Sequence, residues 1–298
     1  MRPGVRYSRL PTEQANPRSH HLDRLPLPRL LRLINDEDQR APRAVRRQLP
    51  QIARAIRLTT QALRRGGRLL FVGAGTSGRL GIIEAAECPP TFHTDPSLIR
   101  AIIAGGRSAV FRSKEGAEDD RRSARAAVQR RVRRGDVVVG IAASGVTPFV
   151  DAALRAATRL QARTILITCH PRAATTADIR IALNVGPEVL TGSTRLKAGT
   201  ATKLALNMLT LGAMVQLGKT YGNLMVDVRP TSRKLRARAI GIIRQLTGVS
   251  ASDAARALAA ARGRVKVAVV MRRCGLPYAA ACRRLARADG SLRLALKN

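Results

Sequence analysis

The sequence predicts an α/β protein: a parallel sheet flanked by helices, preceded by N-terminal helices and followed by a small helical C-terminal domain. Three observations carry that expectation. Apolar runs of buried-strand length occur at 69–72, 98–104, 137–142, 164–168 and 179–185. Segments at helical spacing separate them, and strands that alternate with helices pair in parallel through right-handed crossovers with both faces covered. Beyond Asp227 the strand pattern ends, and only helical segments remain, at 235–246, 252–261, 265–273 and 277–288. The implied division is 1–58 for an arm and N-terminal helices, 59–228 for the ligand-binding α/β domain, and 229–298 for the helical domain.

Composition narrows the function classes. A chain of 298 residues can bury a full core. Its net charge of +35 would attract nucleic acid, yet aromatics are 2% and Trp is absent, leaving few platforms for stacking bases. The arginines are also spread along most of the chain, so no specific nucleic-acid partner is expected. No apolar run is long enough to span a membrane, and the first twenty residues lack the apolar stretch of a signal peptide; a cytoplasmic protein without a membrane partner is expected. Cys88, Cys169, Cys274 and Cys282 show no CxxC spacing and His is scarce, which reads as reduced core thiols and no metal site.

Taken in order, residues 1–21 read as an irregular polar arm, and helical spacing begins at Leu22 and recurs over 43–63. Between them Asn35, Asp36, Glu37 and Asp38 read as a cap and turn. The first strand runs into Gly73-Ala74-Gly75-Thr76-Ser77-Gly78, with a helix expected over 79–87 and stopped by Pro89-Pro90, which leaves Glu87 in its last turn. Strand, glycine loop and helix aim backbone N–H groups and a positive dipole end at one point, where an anion can sit. The loop also fits Gly-x-Gly-x-x-Gly, but a dinucleotide fold needs an acidic residue at the end of the next strand. Asp95 lies before that strand. Hydroxyls on Thr76 and Ser77 suit a compact phosphate monoester better than a pyrophosphate.

The loop after the second strand carries Glu115 and Glu118 into a helix reaching about residue 133. The third strand runs into Ser144-Gly145-Val146-Thr147-Pro148, a second hydroxyl-bearing loop. After the fifth strand, residues 191–199 add Ser193, Thr194 and Lys197 and open a helix over 200–217, apolar almost all round and suited to the sheet packing or a subunit interface. Ligands of such sheets collect at the carboxyl ends of the strands, where these loops lie. Thr76, Ser77, Ser144, Thr147, Ser193, Thr194 and Lys197 are therefore the candidate phosphate-binding residues. In the C-terminal helices Ser250 and Ser252 read as caps and Gly263, Gly275 and Gly290 as stops, with no visible chemistry.

GAGTSGRLG with AECPPTF, EGAED, GIAASG with TP, and TGSTRLKAGTATKLALNML followed by GKTYGNLMVDV resemble bacterial N-acetylmuramic acid 6-phosphate etherases, which have a sugar isomerase (SIS) fold. LINDED and TEQANP extend the resemblance over nearly the whole chain, and the related glucokinase regulatory proteins are a weaker match. The resemblance implies an SIS-type sheet and an enzyme of peptidoglycan recycling. Such an enzyme converts N-acetylmuramic acid 6-phosphate to N-acetylglucosamine 6-phosphate and D-lactate. It further implies a homodimer, no metal or organic cofactor, Glu118 as catalytic base and Glu87 as catalytic acid, with Glu84 and Glu115 ranked behind them. The alternative is a non-catalytic sugar-phosphate sensor of the same fold. One departure stands out: Val146 occupies the place where the family reads Arg, so that loop lacks a cation.

Overall fold

The computed structural model describes residues 8 and 10–297. Five strands, β1 (Leu69–Gly73), β2 (Ile99–Ile103), β3 (Val137–Ile141), β4 (Arg163–Thr168) and β5 (Ile179–Ala182), form one sheet in the order β2-β1-β3-β4-β5. Every pairing is parallel. β1 and β3 are buried at all positions, as expected of central strands with helices on both faces. Strand order reverses between β1 and β3, so the loops leaving these two neighbours diverge and open a crevice at their carboxyl ends.

Helices α1 (Leu27–Asp38), α2 (Arg40–Arg47) and α3 (Leu49–Arg64) precede the sheet, α4 (Gly75–Phe92) follows β1, and α5 (Arg121–Arg131) and α6 (Pro148–Arg159) flank β3 in sequence. α7 (Lys197–Gln216) follows β5. Leu70, Val72, Val138 and Leu166 of the sheet pack with Val128 of α5 and Phe149, Val150 and Leu154 of α6 in one buried cluster. The chain divides into two compact units, the first holding residues up to Ala86 with Ser97–Thr210, the second Glu87–Pro96 with Leu211–Asn298.

Several local expectations are corrected. Residues 35–38 are the last turn of α1 rather than a cap and turn, because Glu37 is fully buried there by ion pairing. The helix expected over 43–63 is two helices that part at Gln48, where Pro50 in the first turn of α3 withdraws a backbone donor. Pro89 and Pro90 do not end α4. Beyond them the ladder resumes, with the His93 N–H donating to the Pro89 carbonyl and the Thr91 hydroxyl to that of Glu87. α4 and α7 also begin earlier than expected, at Gly75 and Lys197.

The second unit has its own core around α8 (Arg233–Thr247), α9 (Ala251–Ala260), α10 (Val265–Cys274), α11 (Tyr278–Arg287) and the short α12 (Leu292–Ala295). Val265 to Val270 of α10 are buried on every side, which makes it the central helix. Ser250 caps α9 by accepting from the Asp253 N–H, and Gly248 and Gly275 end α8 and α10 in the left-handed conformation. Ser252 instead meets the Ser250 hydroxyl at 2.9 Å. All four cysteines are thiols, but only Cys88 and Cys169 are buried as expected of core residues, whereas Cys274 and Cys282 are half-buried against the core of the second unit. Among the described residues no helix is long and apolar enough to cross a membrane.

Candidate active site

A cavity of about 280 Å³ opens in the first unit at the carboxyl ends of β1 and β3. Thr76 and Ser77 line it from the first turn of α4, Ser144 and Thr147 from the β3 loop, Thr194 from the loop before α7, and Glu118 from the loop before α5. Two glycines make the α4 start possible. Gly75 has φ +51°, and a Cβ at Gly78 would lie 2.8 Å from the Gly73 carbonyl oxygen and 2.6 Å from Ile103 Cγ1. The helix therefore begins directly on the end of the strand, with its open N–H groups and positive dipole end at the cavity.

The lining hydroxyls are available to a ligand. Those of Thr76, Ser77, Thr147 and Thr194 have no hydrogen-bond partner among the described residues, although Thr147 occupies the N-cap position of α6. Ser144 Oγ accepts from the Val146 N–H at 3.3 Å and keeps its own proton free to donate. No Lys, Arg or His lines the cavity among the described residues. An anion here is met by N–H and O–H donors rather than by a cation, and the Val146 side chain does not change that.

Glu118 sits on the exposed 3-10 turn Ala117–Asp119. Packing around its carboxyl, then the charges of Asp119, Glu115 and Glu13, push its pKa above the ordinary carboxylate value. A carboxylate so placed holds a proton more strongly and is the better base. Glu87 is exposed on α4 and belongs to the second unit. The two lower-ranked neighbours are engaged elsewhere: buried Glu84 accepts from the Thr210 hydroxyl, and Glu115 accepts from that of Ser113 at 3.1 Å.

Two of the candidate phosphate residues fall outside the cavity wall. Ser193 lies between the lining residues Gly192 and Thr194 without lining the cavity itself. Lys197 turns away altogether, buried against Glu37 in an ion pair, because an ammonium at 1% exposure needs a countercharge. The start of α7 is closed to anions as well, since buried Glu188 accepts from the N–H groups of Lys197 and Ala198.

Thr12 and Glu13 line the cavity, although they belong to the stretch expected to be an irregular arm. Their segment is fastened to the site. The Gly192 N–H donates to the Thr12 carbonyl at 3.1 Å, and Asn16 donates to Glu37 at 2.8 Å and to the Pro187 carbonyl at 3.1 Å. Without apolar periodicity, TEQANP gives no strand or helix signal; only its place in the resemblance marks it.

Comparison with known proteins follows the same outline. A model of the glucokinase regulatory protein N-terminal SIS domain matches residues 51–158, and a model of the SIS domain matches residues 119–212. The N-acetylmuramic acid 6-phosphate etherase of Cutibacterium acnes is 51% identical over 290 residues, covering 96% of this chain and 95% of the relative. That of Gloeobacter violaceus is 53% identical over 291 residues, covering 97% and 95%. Among solved structures, a phosphoheptose isomerase from Francisella tularensis superposes with a TM-score of 0.50 at 18% identity, covering 63% of this chain and 98% of that one, a likeness of fold.

Proposed function

The chain belongs to the N-acetylmuramic acid 6-phosphate etherase family, and we propose that it works through Glu118 as base and Glu87 as acid, with the substrate phosphate held in the hydroxyl-lined cavity. It is a carbon–oxygen lyase that cleaves the D-lactyl ether of N-acetylmuramic acid 6-phosphate in cell-wall recycling. One observation carries the assignment of the site: unpartnered hydroxyls from three βα loops and a carboxylate without a cation line the same cavity.

The chemistry requires two carboxyl groups. In the open-chain sugar the C2 proton is α to the C1 aldehyde, so Glu118 removes it to give an enolate, and the 3-O-lactyl group then leaves. Glu87, which does not line the cavity, is the acid by its place in the family resemblance; the acid protonates the ether oxygen as the bond breaks, since an alkoxide is a poor leaving group. Water adds at C3 of the unsaturated intermediate and the pair is reused in the opposite sense. The raised pKa of Glu118 suits the base, and Thr76, Ser77, Ser144, Thr147 and Thr194 donate to the phosphate. Ser193 contributes through the backbone of its loop, and Lys197 by holding that loop in place.

The working form is a cytoplasmic homodimer. Met208, Leu211 and Val215 of α7 are exposed at 38%, 51% and 46%, an apolar stripe at helical spacing that a second copy would cover. Incubating the protein with N-acetylmuramic acid 6-phosphate and assaying D-lactate tests the function. Release of D-lactate is expected; tight sugar-phosphate binding without it would make the chain a sensor of the same fold.

A further inference from the structure

A second cavity, of about 160 Å³, shares Ala74, Gly75 and Glu118 with the phosphate cavity and is lined by Arg79 and Lys114. We propose that it is the subsite for the lactyl carboxylate, with Lys114 and Arg79 as the residues that read it. The inference rests on the reaction assigned above. Three arguments lead to it.

The first is connectivity. Glu118 takes the proton from C2, and the ether oxygen is on C3, the next carbon. With the C6 phosphate in the larger cavity and C2 at Glu118, the lactyl group at C3 falls beside Glu118, where the smaller cavity begins. A lactyl group adds only a handful of non-hydrogen atoms beyond the ether oxygen, and the smaller cavity has room for them.

The second is charge. The lactyl carboxylate must approach Glu118, whose surroundings already include the carboxylates of Asp119, Glu115 and Glu13. Like charges within a few ångströms repel strongly where water is partly excluded, and the phosphate cavity offers no cation among the described residues. The smaller cavity brings two, Arg79 and Lys114, against the further carboxylate of Glu115 in its wall, which accepts from the Ser113 hydroxyl.

The third is that both cations are available and oriented. The Lys114 ammonium has no hydrogen-bond or ion-pair partner among the described residues, and the Lys114 Cδ lies 3.0 Å from where a Cβ would stand on Gly105, whose bare backbone makes room for the stem. Arg79 Nε donates to the Val110 carbonyl at 2.8 Å, which fixes the guanidinium plane, while its terminal nitrogens have no partner among the described residues. A fixed guanidinium fork matches a carboxylate.

The test compares two ligands that differ by the lactyl group. Binding of N-acetylmuramic acid 6-phosphate and of N-acetylglucosamine 6-phosphate is measured by calorimetry in a Glu118→Gln background, where turnover is strongly slowed, with and without Lys114→Met or Arg79→Met. Each second substitution should weaken binding of the lactyl-bearing sugar by about tenfold to a hundredfold and leave the other within about twofold. Lys114→Arg should restore most of the loss. An equal loss for both ligands, or no loss for either, overturns the subsite. The D-lactate assay on the unmodified protein judges the parent reaction separately, because the binding comparison needs no turnover.

Discussion

Two polar clusters of the first unit look alike in the sequence and differ in one physical respect. Around Glu37 every charge is answered: Lys197, Arg18 and Arg40 pair with it, and Asn16 donates to it. In the cavity at the ends of β1 and β3, the hydroxyls of Thr76, Ser77, Thr147 and Thr194 are unpartnered, and Glu118 faces other carboxylates. The two glutamates titrate in opposite directions. Burial pushes Glu37 up, but hydrogen bonds from Lys197, Asn16 and Arg18 and the Lys197 charge outweigh it and hold the group below its ordinary value. Burial and like charges leave Glu118 above it. Scaffold polar groups are satisfied within the chain, whereas site groups keep their capacity for a ligand.

The contrast can be broken by substitution. Glu118→Gln removes the base and relieves repulsion, so turnover should fall by ~10²–10⁴ while the thermal midpoint stays level or rises. Glu37→Leu does the opposite: it strands the Lys197 ammonium at 1% exposure and should cost about 3–5 kcal/mol of stability, read by denaturant unfolding. Ser144→Ala and Thr194→Val should each weaken sugar-phosphate binding by about 1.5–3 kcal/mol, with no comparable loss of stability. Val146→Arg places a cation beside the cavity and should tighten binding by tenfold or less, about 1 kcal/mol, with a steeper salt dependence than that of the parent chain.

pH sharpens the same comparison. Glu118 must be ionised to act, and its pKa lies above the ordinary carboxylate value, so the acid limb of kcat/KM should sit higher than an unperturbed glutamate would place it. The folded-state pKa of Glu37 is depressed. Its contribution to stability is therefore present above the unfolded-state pKa and is lost as pH falls through the lower, folded value. Activity should fail at a higher pH than the fold does.

Legibility followed the same division. The sheet could be read because buried parallel strands are continuous apolar runs, as at Leu69-Leu70-Phe71-Val72 and Val137-Val138-Val139. That Thr76, Ser77, Ser144, Thr147 and Thr194 line one cavity could be anticipated, because the loops that carry them all leave the carboxyl ends of parallel strands. Lys197 and Glu37 could not be assigned, because 160 residues separate them and only tertiary packing reveals the pair. Glu13 was hidden for a related reason: its segment has no periodicity and is held by long-range bonds from Asn16 and Gly192. The helix starts at Gly75 and Lys197 were missed because glycine and loop-like composition lower helix propensity, while contacts with the strand end and the Glu188 cap override it.

The central claim, that Glu118 is the base and Glu87 the acid, is tested most directly by deuterium incorporation at C2 in heavy water, followed together with D-lactate release. The unmodified protein should do both. Glu87→Gln should exchange the C2 proton without releasing lactate, and Glu118→Gln should do neither. Exchange by Glu118→Gln but not by Glu87→Gln would reverse the roles, and full lactate release by Glu118→Gln would remove that residue from the mechanism.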